Sequence, residues 1–170
     1  MKKLQEVIGL SVLDVSSGKK VGTVKDIYFD LNGDVKGFLV EGSGFFSRSS
    51  FLSYEELGAI GDDAVTIGTA DFLQPLHLNE QFYSFNSGKT PYKELPVVTT
   101  NGNELGHIID VYFKEELGKI IGYEISDGFL SDITEGRRTI GHPDRQIVGK
   151  DAIVIPNDEI RDVVFEKEEL

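Results

Sequence analysis

Asp30, Asn32, Asp34 and Glu41 stand at positions 1, 3, 5 and 12 of a count that would supply oxygen ligands to one calcium ion in a helix–loop–helix site. Val35 occupies the sixth position, where that loop needs glycine, Gly37 occupies the eighth, where an apolar residue belongs, and both flanks read as strand. The Asn32-Gly33 pair instead predicts a tight hairpin turn. Asp26 and Asp110 each lie two residues before a tyrosine. Two such carboxylates would make an acid–base pair only if brought face to face. The reading we favour is structural, each accepting hydrogen bonds from a nearby turn or strand end. His77, His107 and His142 lack metal-ligand spacing and belong to no serine–histidine–aspartate set, so surface or capping roles are expected. Gly42-Ser43-Gly44 lacks the strand–loop–helix context of a phosphate loop and reads as a bend. No catalytic residue, metal ligand or cofactor is assigned, and an enzyme is not expected.

Other candidates are residues of recognition. Phe45, Phe46 and Arg48, and in a second place Phe129, Arg137 and Arg138, set aromatic and cationic side chains beside small polar ones, a mixture suited to protein contact when exposed. The alternative is that the aromatics plug the ends of a β structure. Arg137, Arg138, Arg145 and Lys150 also gather positive charge that would suit an anion or an acidic peptide. The chain as a whole is the reverse: 17 Lys and Arg against 29 Asp and Glu give a formal charge of -12, which repels phosphate backbones. Direct nucleic-acid binding is therefore not expected. Cysteine is absent, which excludes disulfides, thiolate catalysis and zinc–thiolate sites.

The elements that must position these residues come in two copies. Val21–Phe29 matches Leu105–Phe113 at an offset of 84, with Gly, Asp, Tyr and Phe identical. Gly37–Val40 matches Gly122–Ile125, Phe45–Ser47 matches Phe129–Ser131, and Ile60–Ile67 matches Val148–Ile155. The last offset is 88, so the second copy carries an insertion, within 132–146. The expected organisation is a first domain over 1–70, a docked linker over 71–93, and a second domain over 94–170 with an acidic C-terminal tail. Phe72, Leu73, Phe82, Tyr83 and Phe85 in the linker are expected to pack. Within each copy, alternation sets Thr23, Lys25, Ile27 and Phe29 on one face and Val24, Asp26 and Tyr28 on the other. Gly106–Phe113 and Lys119–Ser126 repeat the hairpin, and Ser53–Leu57 and Pro156–Ile160 predict short helical turns. The fold class is all-β.

Gly22, Val24, Asp26, Tyr28, Gly37, Gly61, Asp63, Ala64 and Val65 carry a pattern that resembles the PRC-barrel domain. Gly106, Ile108, Asp110, Tyr112, Gly122, Gly149, Asp151, Ala152 and Ile153 carry it again. The resemblance implies two small β-barrels in tandem, like those of uncharacterised bacterial proteins. It is shared with the cytoplasmic domain of the photosynthetic reaction centre H subunit and the C-terminal domain of RimM-type 16S rRNA-processing factors. It implies a non-catalytic adaptor or docking module with a protein partner. Alternatives are an accessory factor in ribosome metabolism acting through a ribosomal protein, and a small-molecule or ion sensor using the 30–41 loop or an interdomain groove. The apolar runs are far shorter than a membrane span, and Gln5, Glu6, Ser11 and Asp14 interrupt any signal-peptide core, so a cytoplasmic location is expected. A homo-oligomer stays open.

Overall fold

Short runs of branched and aromatic residues, punctuated by glycine, favour pleated chain over helix, and the described residues fold mostly into strands with two short α-helices among them. The computed structural model describes residues 1–43, 48–77 and 81–166, apart from the side chains of Phe129 and Leu130. The chain begins with β1 (Lys2–Lys3) and α1 (Leu4–Val7). It continues through β2 (Ser11–Asp14), β3 (Lys19–Phe29), β4 (Val35–Gly42), β5 (Ser49–Ser53), β6 (Leu57–Ile60), β7 (Ala64–Ile67) and β8 (Gln74–Pro75). After β9 (Tyr83–Ser84) the pattern recurs as β10 (Pro96–Thr99), β11 (Glu104–Lys114), β12 (Lys119–Ser126), α2 (Phe129–Thr134), β13 (Arg138–Gly141), β14 (Ile147–Val148) and β15 (Ile153–Ile155).

These strands make two sheets, ordered β6-β7-β2-β3-β4-β5-β8 and β13-β12-β11-β10-β15-β14. Each has a long antiparallel hairpin at its centre and a last strand that returns parallel to the first, β7 beside β2 and β15 beside β10. Simple alternation fails in the hairpins. The register skips Lys25 between Val24 and Asp26, so Val24, Ile27 and Phe29 all join the core while Lys25 is exposed. β11 makes the same bulge at Ile109. A bulge turns the residues that follow it to the other face, and here it carries Asp26 and Asp110 into buried positions. The turns expected at Ser53–Leu57 and Pro156–Ile160 are 3-10 helices over Tyr54–Glu56 and Asn157–Glu159, although Ser53 makes no side-chain cap. Gly128–Ser131, expected as loop, instead opens α2.

The two halves exchange their leading segments. β1 pairs with β11 of the second sheet, Lys2 opposite Phe113 and Lys3 opposite Tyr112. β9, which precedes the second copy, pairs with β3 of the first, Tyr83 opposite Phe29 and Ser84 opposite Tyr28. Only then does each segment enter its own sheet, through Gly9 N to Val24 O and Leu10 O to Val24 N, and through Glu94 N to Ile108 O and Leu95 O to Ile108 N. Leu4, Val7, Phe85 and Tyr92 are buried by this exchange. Buried side chains from both halves form one hydrophobic cluster. Tyr92 stands in it with Phe29 of the first sheet edge-on at 4.7 Å and Tyr123 of the second at 5.9 Å.

Candidate functional site at the seam between the repeats

Asp26 and Asp110 hold the exchanged segments. Asp26 Oδ1 accepts from the backbone N–H groups of Ile27, Phe85 and Asn86, and Oδ2 from Asn86 N, Ser87 N and Ser87 Oγ. Asp110 uses one oxygen, Oδ1, for Val111 N and Gln5 N. Loss of water raises the Asp110 carboxyl above its ordinary pKa, a tendency opposed by these two donors and by Lys3. The two carboxylates therefore act structurally, on opposite segments, and do not form an acid–base pair.

The hairpin turns meet tip to tip. Val35 N donates to Gly118 O, and Ile120 N donates to Gly33 O, each at 2.7 Å. These two bonds exchange places under an offset of 85, so an approximate twofold axis runs through the seam. An aromatic ring from each half covers the other half's turn: a Cβ added at Gly118 would meet Tyr54 at 2.6 Å, and one at Gly33 would meet His142 at 3.0 Å. Both glycines also have positive φ, so the turn and the close approach each require glycine. Tyr54 Oη donates to Glu115 O.

Two grooves flank this axis. The first, about 470 Å³, lies between Tyr54, Glu55, Leu57–Ile60 and the facing Glu115 and Glu116. The second, about 380 Å³, lies between Asn32, Lys119–Ile121 and His142–Asp144, and no residue of β14, the counterpart of β6, lines it. The two halves differ in what crosses the seam. In the second half, Gln146 Nε2 donates to Leu31 O across the seam and approaches His142 Nε2, while Tyr123 Oη donates to Gln146 Oε1. Burial, then Lys119, lower the His142 pKa to about 4. Under the offset of 88 the counterpart of Gln146 is Gly58, which has no side chain to reach across.

The sequence-derived candidates lie elsewhere. Phe45 and Phe46 fall outside the described residues, as does the Phe129 side chain. Arg48 is exposed where the chain re-enters β5, its carbonyl accepting from Gly42 N. Arg137 stands between Glu124 and Asp132 at 3.8 and 3.7 Å, and Arg138 grips Asp162 through two contacts of 2.5 and 3.1 Å. Arg145 pairs with Asp158 and Glu159. The positive cluster is thus matched by carboxylates of the same chain. The two groups do not converge. Asp34 and Lys119 bridge antiparallel at the starts of β4 and β12, and Arg48 lies beside β5 of one sheet while Arg137 and Arg138 lie at β13 of the other.

The calcium-like ligands are also divided. Asp30 pairs with Lys36, Asp34 with Lys119 and Glu41 with Lys25, and Asp34 N closes the turn on Asp30 Oδ1. Among the described residues no group of three histidine or acidic side chains is placed to hold a metal ion. Sequence reasoning missed the seam, whose only trace was Gly33 and Gly118 aligned at an offset of 85 and Tyr54 and His142 at 88.

A tandem of small half-barrels, fused through a pseudo-twofold seam and a shared core, is the class of protein that this fold defines. The family model described as the PRC-barrel domain matches residues 1–72 and again 90–162, and the chain belongs to that family. It is also 31% identical over 157 residues to the uncharacterized protein YrrD of Bacillus subtilis (strain 168), a match covering 91% of this chain and 87% of YrrD. No helix among the described residues is long and apolar enough to cross a membrane.

Proposed function

We propose that this tandem PRC-barrel protein is a non-catalytic docking module of the cytoplasm, holding protein partners through its two halves. The observation that supports this reading is that Arg48 lies beside β5 of one sheet and the Arg137–Arg138 pair at β13 of the other, so the two candidate surfaces belong to different halves. A scaffold with one core and reciprocally bonded segments keeps a fixed distance between two docking surfaces, which suits an adaptor. The formal charge of -12 favours protein over nucleic acid as the thing held.

The test is capture of tagged protein from native lysate after nuclease treatment, with mass spectrometry of what is retained. Arg48→Glu and Arg137→Gln are expected to lose different partners, with Arg48→Glu melting like the parent. A ribosomal or assembly-factor set surviving nuclease would assign the module to ribosome metabolism. Capture unchanged in both variants would remove these surfaces from the reading.

A further inference from the structure

The groove beneath Tyr54 has a wall of unusual kind. β6 is the terminal strand of its sheet, so one side of its backbone has no strand neighbour. The ladder to β7 passes from Leu57 opposite Ile67 to Ala59 opposite Thr66, leaving Gly58 outside it. Gly58 and Ala59 are exposed and carry almost no side chain over the groove. An edge of this sort is a template for one more strand, and proteins guard such edges with lysine, proline, a bulge or a covering segment, of which β6 carries the bulge at Gly58. Leu57–Ile60 contains neither lysine nor proline. The second half is different, because Gln146 and His142 occupy the corresponding seam.

The groove is also acidic. Glu55 and Glu116 line it, are exposed and, among the described residues, make no ion pair. Glu115 beside them meets the chain's own amino terminus. We infer that this groove binds an extended peptide bearing Lys or Arg at alternate positions, added as a strand to β6 with its cations toward Glu55 and Glu116. Main-chain bonds to the edge would hold the peptide and the carboxylates would select its charge. A second copy of this chain would bring -12 against -12 and is disfavoured as the occupant. The inference rests on the proposal that the protein is a binding module and adds a third surface to it.

The probe is a fluorescent ten-residue peptide alternating lysine and valine, with its glutamate–valine counterpart as control, titrated into the full-length protein. Binding of the lysine peptide alone, weakening with salt, with amide shifts centred on Gly58 and Ala59 in NMR spectra, is the expected result. Glu55→Lys with Glu116→Lys should weaken it by about tenfold or more without changing the melting temperature. The lysine peptide with its alternate backbone amides N-methylated supplies a backbone block that leaves the charges in place and should not bind. No binding, equal binding of both peptides, shifts centred elsewhere, or dimerisation of the chain through β6 would each overturn the inference. Partner capture lost on Arg48→Glu but intact in the Glu55→Lys, Glu116→Lys variant, with no peptide bound, would discard this site and leave the docking proposal standing.

Discussion

At the scale of single residues, equivalent positions of the two repeats perform the same task with different chemistry, and the differences are measurable. Both oxygens of Asp26 face donors, whereas Asp110 accepts through one. Asp26→Asn turns an amide N–H₂ toward N–H and O–H groups in a buried site, and should cost about 3 kcal/mol in urea unfolding. Asp110→Asn keeps an oxygen for Val111 N and Gln5 N and relieves a carboxylate that burial disfavours, so its cost should stay under about 1 kcal/mol. Equal losses in the two variants would contradict this account. Glu94 has φ 70°, where its counterpart Gly9 has φ 96°. Glu94→Gly should therefore stabilise by about 0.5 kcal/mol, relief of strain exceeding the added freedom of the unfolded chain. His142 brings a pH dependence. Its folded pKa of about 4 lies below its unfolded value, through burial and Lys119, against the opposing pull of Asp144, Asp30 and Asp34. The neutral ring is thus favoured by the fold, and its contribution is complete above about pH 6.5 and declines as pH falls toward 4. Stability measured from pH 7 to pH 4 should lose about 3 kcal/mol from this group. In His142→Asn that part of the slope should vanish.

At the scale of elements, the bulges and the exchanged segments matter more than strand propensity. A regular β3 would keep Lys25 in register with Ile27 and Phe29, and the bulge resolves that conflict by leaving Lys25 in water. Sequence alternation reads strand existence well in this chain, since β11 and β12 lie where expected. It does not read the bulge, which depends on how β4 and β12 curve across their partners. α1 has four residues, too few to persist alone, so its structure depends on Leu4 and Val7 being buried against the second half. Leu4→Ala should cost about 3 kcal/mol, and the damage should appear in the amide exchange of β11 before that of β2. Protection lost first in β2 would show that α1 serves its own repeat instead.

At the scale of the molecule, two repeats behave as one folding unit. Tyr92 touches aromatic residues of both sheets, the apolar cluster runs through both, and each sheet contains a strand from beyond its own repeat. Calorimetry should show a single transition with equal calorimetric and van't Hoff enthalpies. Two separable transitions would show that the seam is only a contact between independent domains. The seam ion pair of Lys119 with Asp34 is nearly half exposed, and its loss should leave the transition single.

The amino-acid sequence by itself determined the duplication, the all-β class, the hairpins and the family, because these rest on local periodicity and on motifs that recur at a nearly constant offset. It also marked Asp26 and Asp110 as structural. Only the tertiary structure decided that each repeat borrows the other's leading segment, that the turns meet at Gly33 and Gly118, and that Gln146 crosses the seam where its counterpart Gly58 does not. Those features arise between residues more than 50 positions apart, where backbone groups pair with little regard to side-chain identity, so the pairing leaves no periodic signal along the chain.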